Sequence, residues 1–455
     1  MKAARACGEA SRGGRAGPRL WRSARGLPAR FGHALQVAAL VVYWTVTFQL
    51  LRRLRQRRNE RLVRRLALSH RQLLDRAAEF ADAGRARRVL VVDRRMPTPD
   101  RDSGSVRMLA VLKLLRGIGH EVTFVSDSEE RMPGYEAPVR NLGVEVLYGR
   151  ASAARHLSAS GPDYGCAILS RPEVAERFAY LVRAHALRAR LVYDSVDLHW
   201  VRLERAAEVS GDPRDRAQAE RYRQLEGLAC ASADLTLAVT PEERATLERE
   251  WPGLSVEVLP NIHEVVARAP PWSERRDLMF IGGFEHKPNV DGVEWFAGEV
   301  LPLIRKSLPG VAFDVVGNKS KKKVARLASA AVRVHGYVPD AAPFFERCRV
   351  FVSPLRYGAG MKGKIGQSMG RGLPVVTTSV GAEGMMLVDG ENALVAGDPA
   401  AFAAAVVRLY RDELLWSRLS RNGIEHVREH FGEEAALRRM KEIFPLARPG
   451  GEGTG

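Results

Sequence analysis

The sequence predicts an α/β protein with two tandem Rossmann-like domains facing a cleft, preceded by a basic and apolar helical appendage. Three observations carry this reading. At 455 residues the chain exceeds one ordinary core. Short apolar runs alternate with helical stretches in two successive series, the pattern of parallel sheets covered by helices. Between the series, ARAPPWSERRD breaks the pattern with paired prolines and a polar flank. The expected divisions are 1–85 for the appendage, 86–262 for the first domain, 263–275 for a linker, 276–432 for the second domain, and 433–455 for a C-terminal helix and disordered tail.

The net charge of +18 is unevenly spread. Residues 1–66 hold 16 Lys or Arg against Glu9 and Glu60, while the remainder has 55 basic against 51 acidic residues. The excess therefore belongs to the appendage, and no base-reading or stacking module accompanies it, so nucleic acid is not an expected partner. Within the appendage, residues 31–51 (FGHALQVAALVVYWTVTFQLL) carry no Asp, Glu, Lys or Arg. That run is long enough for one membrane span of roughly 20 residues. His33, Gln36, Thr45, Thr47 and Gln49 dilute it, and arginines flank both ends. A helix lying on an anionic membrane surface fits these features equally, and a helix docked on protein remains a third reading. No small-residue cleavage site follows the run, which argues against a signal peptide. Four scattered cysteines without C-x-x-C or zinc-ligand spacing suit a reduced, cytoplasmic protein at the inner face of a membrane.

In the first domain, VLVVD, EVTFV, VEVLY, CAILS, RLVYD, LTLAV and VEVLP read as buried strands, with helical stretches between most of them. In the second, LMFIG, VAFDVVG, VRVHG, RVFVSP and PVVTTS are the strands, and VDGVEWFAGEVLPLIRKS is a helix. Two such domains in tandem place a cleft at the carboxyl ends of their strands. The stretch GAGMKGKIG (358–366) fits both G-x-x-x-x-G-K and G-x-G-x-x-G, each weak alone. Ile365 stands where a magnesium-holding Ser or Thr belongs in the former.

Several segments together resemble the family-4-type retaining glycosyltransferases, which have the GT-B fold, in their polysaccharide-assembly branch. They are LPNIHEV (259–265), FIGGFEHKPNVDGVEWF (280–296), VHGYVPD (334–340) and SPLRYGAGMKGKIGQSMGRGLPVVTTSVGAEGM (353–385). VVDRRMPTPDRDSGSVRMLAVLKLLRGIGHEVTFV and RLVYDSVDLHWVRLER resemble the acceptor-side half. The resemblance implies transfer of a sugar, with retention, from a nucleotide-diphosphate donor to a glycan or lipid-linked acceptor. No cofactor or metal is required in that scheme, and the nucleotide sugar is itself a substrate. Positive side chains and helix dipoles would stabilise the diphosphate.

On this reading Gly282, Gly283, Lys287, Gly360, Lys362, Gly363 and Lys364 surround the diphosphate, with Lys364 as the principal charge. The glycines permit close backbone approach, and a helix beginning near Lys362 directs its positive end at the phosphates. Backbone around Gly336, Tyr337 and Val338 would meet the base. Asp340 reads as an N-cap, and Lys319, Lys321, Lys322 and Lys323 as solvated surface. The family's Glu-x7-Glu is replaced by Ala359 and Gln367, so Gln367 would hold the ribose through a neutral acceptor. Glu383 would accept from sugar hydroxyls. Asp102, Ser103, Gly104 and Arg107 face the acceptor side, while Asp197 and His199 would orient the acceptor or share its proton. Asp194 and Asp197 without further ligands do not make a metal site. The lost carboxylates leave open a catalytically weakened sugar-nucleotide-binding partner, and the shared fold leaves open a sugar-nucleotide epimerase.

Overall fold

The first apolar run folds as β1 (Arg88–Asp93), and the next polar loop leads into the helix Ser103–Ile118, whose N-cap is Asp102. A computed structural model describes residues 87–318, 322–358 and 360–446. The appendage with its 31–51 run, Lys319, Lys321, Ala359 and the 451–455 tail lie outside the described residues.

After β1 come β2 (Glu121–Ser126), β3 (Glu145–Tyr148), β4 (Tyr164–Ser170), β5 (Arg190–Asp194), β6 (Leu235–Ala238) and β7 (Val256–Val258). All pair in parallel, in the order β3-β2-β1-β4-β5-β6-β7. The second sheet comprises β8 (Leu278–Ile281), β9 (Phe313–Val316), β10 (Val332–Gly336), β11 (Val350–Ser353), β12 (Val375–Thr377) and β13 (Leu394–Val395). Its order is β10-β9-β8-β11-β12-β13, again parallel. Each expected strand is present. Only β13 escapes the sequence pattern, because two residues carry no periodicity. Both sheets are buried on two faces, which is why their strands read as continuous apolar runs.

The strand order reverses between β1 and β4 in the first sheet and between β8 and β11 in the second. Parallel sheets bind ligands at such reversals, beyond the strand ends. The loops after β8 and β11 are the GGFEHK and RYGAGMK segments, so the fold brings these two glycine-rich stretches side by side.

The helix expected over VDGVEWFAGEVLPLIRKS is longer and irregular. It starts at Lys287, contains a π-helical turn at Phe296–Val300, and resumes as Leu301–Ser307. Pro302 explains the irregularity. It has no N–H to offer the preceding turn, and the Leu301 N–H reaches back to the Phe296 carbonyl instead.

The chain crosses between the sheets twice. After the linker enters the second domain, the last helix, Glu433–Ile443, returns to the first. Ala436, Met440, Ile443 and Phe444 join the core that contains Met108, Val111, Leu115 and Phe124. Lys113 pairs with Glu433 at 2.7 Å, and Arg190 donates to the Ile443 carbonyl at 3.0 Å. Met440 is fully buried there. Met440→Ala is expected to lower stability by about 2–4 kcal/mol. Urea unfolding followed by fluorescence checks this, and a loss under about 0.5 kcal/mol would show that the helix is not part of that core.

Candidate functional site

A cavity of about 470 Å³ lies at the paired strand reversals. The first domain lines it with Asp100, Asp102, Ser103, Asp197, Arg202 and Asn261, and the linker adds His263. From the second domain come Gly282, Gly283, Asn289, Tyr337 and Val338, together with Gly358, Met361, Lys362, Gly363, Lys364 and Gln367. The helices Ser103–Ile118 and Gly363–Gly370 are among those whose N-termini reach it. That of Ser103–Ile118 is already occupied, since the Asp102 carboxylate accepts from Ser105 N–H at 2.8 Å. The helix Gly363–Gly370 has no side-chain cap, so its positive end is not offset by a local carboxylate.

Lys364 stands in the first turn of that uncapped helix. Its ammonium donates to Asn289 Oδ1 and lies 4.4 Å from the centre of the Phe280 ring. Among the described residues no carboxylate pairs with it. Burial, together with the neighbouring Lys362 charge, pulls its pKa down to about 7. Lys362 precedes the helix and donates to the Gly360 carbonyl at 2.5 Å. Burial likewise lowers it, to about 8, against the opposing pull of Glu383. The two lysines face different partners, as their spacing requires.

Gly282, Gly283, Gly363 and Gln367 also line the cavity. Gly282 is needed sterically, because a Cβ there would sit 2.8 Å from Asn289 Nδ2 and 3.0 Å from Lys364 Nζ. Gly360 lies just outside, in the left-handed region at φ +71°, where a Cβ would press on Asp197 and Glu243. Tyr337 and Val338 line the opposite end, whereas Gly336 does not. Asp340 accepts from the Ala342 N–H at 2.8 Å, a local helix-start contact.

Several expected residues lie elsewhere. Lys287 is exposed and pairs with Asp215 at 3.1 Å, outside the cavity lining. Its position at the first turn of a surface helix turns it towards the first domain. Arg107 is fully buried, 2.7 Å from Asp194, and donates to the Leu259 carbonyl at 3.0 Å. Gly104 is packed beneath Arg171. Glu383 accepts both arms of Arg205, at 2.6 and 2.8 Å, and lies beside a small separate recess. His199 stacks on Tyr222 and contacts Asp197 Oδ1 at 3.0 Å and Glu226 Oε1 at 3.2 Å. Burial opposes its charge, but Asp197 and Glu226 outweigh it and lift the pKa to about 10. His199 is thus a buried cation bracing Asp197, which does reach the cavity. Burial works against the Asp197 charge too, yet His199 and Arg202 hold it well below the usual carboxylate range.

Sequence reasoning did not single out four residues that shape the cleft. Arg205 joins the domains, reaching both Glu383 and the Gly358 carbonyl at 2.6 Å. Asp100 accepts from Tyr337 Oη at 2.6 Å and from Tyr135 Oη at 2.8 Å, spanning the cleft mouth. Asn289 holds Lys364. His263 lies under Gly366, where a Cβ would come within 2.4 Å of its ring. A glycine inside a short helix was the one available signal for this last contact. Among the described residues no group of three or more His, Cys, Asp or Glu is arranged to hold a metal ion, and no helix is long and apolar enough to cross a membrane. Cys166, Cys230 and Cys348 are free and buried.

Residues 275–412 match the family model of Glycosyl transferases group 1. The chain is 32% identical over 136 residues to the lipopolysaccharide core biosynthesis glycosyltransferase LpsE of Rhizobium meliloti, covering 28% of this chain and 40% of that protein. It is 29% identical over 159 residues to a phosphatidyl-myo-inositol mannosyltransferase of Mycobacterium leprae, covering 33% and 42%. The matches therefore span about two fifths of these curated relatives. Among solved structures, Anabaena HepE in complex with UDP and glucose superposes with a TM-score of 0.58 at 12% identity, over 79% of this chain and all of that one. Residues 275–412 thus carry the likeness to Glycosyl transferases group 1, and the solved structures show the GT-B fold for this chain.

Burial depresses the His263 pKa to about 4, from an ordinary 6.5, and its Nε2 has no hydrogen-bond partner. The unfolded chain takes up a proton at this ring below 6.5 that the fold refuses until about 4. Stability supplied by neutral His263 is therefore complete above that window and falls as pH drops through it, on the order of 2–3 kcal/mol. His263→Leu should flatten this part of the acid profile. Denaturant unfolding at about pH 7 and about pH 5 checks it, and an identical acid loss in both proteins would contradict the assignment.

Proposed function

We propose that this protein is a glycosyltransferase that moves a sugar, with retention, from a nucleotide-diphosphate donor to a glycan or lipid-linked acceptor in cell-surface polysaccharide assembly. The observation that carries the reading is the Lys364 ammonium. It is set at an uncapped helix N-terminus, beside glycine-lined strand ends, with a neutral amide as its polar partner. A departing diphosphate gains negative charge as the sugar–phosphate bond breaks, and fixed donors aimed at that charge lower the barrier. Lys364 and the helix end meet the phosphates, Lys362 adds positive potential deeper in the cleft, and no resident metal takes part. Gln367 meets the ribose, and backbone beside Tyr337 and Val338 meets the base. Asp102 and Ser103 approach the acceptor. Asp197, fixed by His199 and Arg202, is the cavity carboxylate best placed to orient an acceptor hydroxyl. Relatives that act in lipopolysaccharide core synthesis and on phosphatidyl-myo-inositol favour a glycan or lipid-linked acceptor. A neutral Gln367 in place of a carboxylate favours a second reading, a sugar-nucleotide-binding partner of another transferase.

Lys364→Ala should weaken binding of UDP or GDP about 100-fold, the loss expected when a charge-assisted contact to phosphate is removed. Calorimetric titration measures this, and unchanged affinity would sink the assignment. Transfer from a panel of radiolabelled sugar nucleotides, tested with and without membrane extract, separates the two readings. Binding without turnover would favour the partner.

We also propose that residues 1–66 hold the protein on an anionic inner membrane surface. Deleting them should release the protein to the supernatant after membrane sedimentation, with catalysis of a soluble acceptor retained. A truncated form that still sediments would place the anchor elsewhere.

A further inference from the structure

Asn289 lies in the helix that follows the GGFEHK loop, is buried, and lines the cavity. Both ends of its amide are committed. The nitrogen donates to the Gly283 carbonyl at 2.8 Å, and the oxygen receives the Lys364 ammonium. The first bond fixes which way the amide points: with its NH2 on a carbonyl, only oxygen can face the lysine. Phe280 supports the ammonium from one side, its ring centre 4.4 Å away. Gly282 leaves room for both polar groups, since a side chain there would collide with each. The chain thus builds a socket for one ammonium group from a neutral acceptor, an aromatic face and a missing side chain. An aspartate would fit the same space but would neutralise the lysine.

We propose that Asn289 is a positioning residue that holds the Lys364 ammonium at the end of β8 without neutralising it, so that its charge is kept for an incoming diphosphate. This rests on the donor-binding reading given above. A neutral amide directs the cation yet yields to a phosphate oxygen, whereas a carboxylate would compete with the phosphate for the same charge. The surroundings work the same way. Burial and then Lys362 from the glycine loop lower the proton affinity of Lys364, and burial, Arg202 and Lys364 lower that of His286, at the start of the Asn289 helix, against Glu285 and Asp197. Burial and Lys362 leave Lys364 titrating near neutral pH, so a bound diphosphate draws a proton onto it.

Titrating UDP and inorganic pyrophosphate into the full chain, with wild type, Lys364→Ala, Asn289→Ala and Asn289→Asp compared from about pH 7.5 to about pH 9.5, tests this. Wild-type affinity should fall across this range as Lys364 loses its proton. Asn289→Asp should bind about tenfold more weakly at the lower pH. Its remaining affinity should hold to higher pH than in wild type, because the new carboxylate keeps the lysine protonated. Asn289→Ala should weaken binding without that displacement of the pH profile. A merely structural asparagine would give Asn289→Asp and Asn289→Ala the same profile, and that result overturns the proposal. If Lys364→Ala binds as wild type does, the donor-binding reading itself fails. If Lys364→Ala weakens binding while both Asn289 variants behave as wild type, only the role of Asn289 fails. Thermal unfolding of each variant identifies any that have lost the fold, and Asn289→Ser, which is smaller and still polar, replaces one that has.

Discussion

An ammonium group taken out of water without a counter-charge costs several kcal/mol unless something replaces its hydration. Lys364, half-buried in the cavity wall, is partly in that position, and its neighbours in the second domain supply part of the replacement. A cation–π contact with Phe280 and a bond to Asn289 recover part of the lost hydration. The uncapped helix Gly363–Gly370 adds unfavourable positive potential rather than relief. The site is therefore left short of negative charge, and Gly282 keeps the space beside the ammonium open. Across the cleft the arrangement differs, since Asp102 occupies the facing helix end and Arg95 pairs with Asp102 at 2.9 Å. In the proposed function, this asymmetry is the reason the anionic half of the donor is placed against the second domain.

That charge has meaning only if the first domain stays against it. Arg205 provides the link at the floor of the cleft, gripping Glu383 while also bonding the Gly358 carbonyl at the start of the glycine loop. Asp100 provides it at the mouth through Tyr337, and Asn318 adds a bond to the Arg101 carbonyl at 3.2 Å. Behind the cleft, the final helix returns to the first core. Loop geometry and domain arrangement thus share the same contacts, and Arg205 ties the start of the glycine loop directly to the first domain.

Legibility in the sequence followed the range of the interaction. Parallel strands buried on both faces announce themselves as VLVVD or RVFVSP, and all but the two-residue β13 could be read this way. The place of Lys364 at the cavity was legible, because it follows a glycine run at the start of a helix after a second-sheet strand. Lys287 has the same local signal, yet its partner is Asp215, 72 residues earlier on the other domain. Likewise, a histidine after Asp197 suggests proton chemistry, but Glu226, fully buried 27 residues later, converts it into a fixed cation. Arg205, Asp100 and Asn289 act through contacts that no local spacing encodes. Motif reading therefore found the glycine-rich loops that line the cavity and missed the side chains that position them.

The most direct measurement is a crystal structure with a bound nucleoside diphosphate. The account predicts phosphate oxygens within about 3 Å of Lys364 Nζ and of the first amides of the helix Gly363–Gly370, with the base beside Val338 and the ribose at Gln367. A diphosphate seated on the first domain, or bound while Lys364 keeps Asn289 as its sole polar partner, would contradict it.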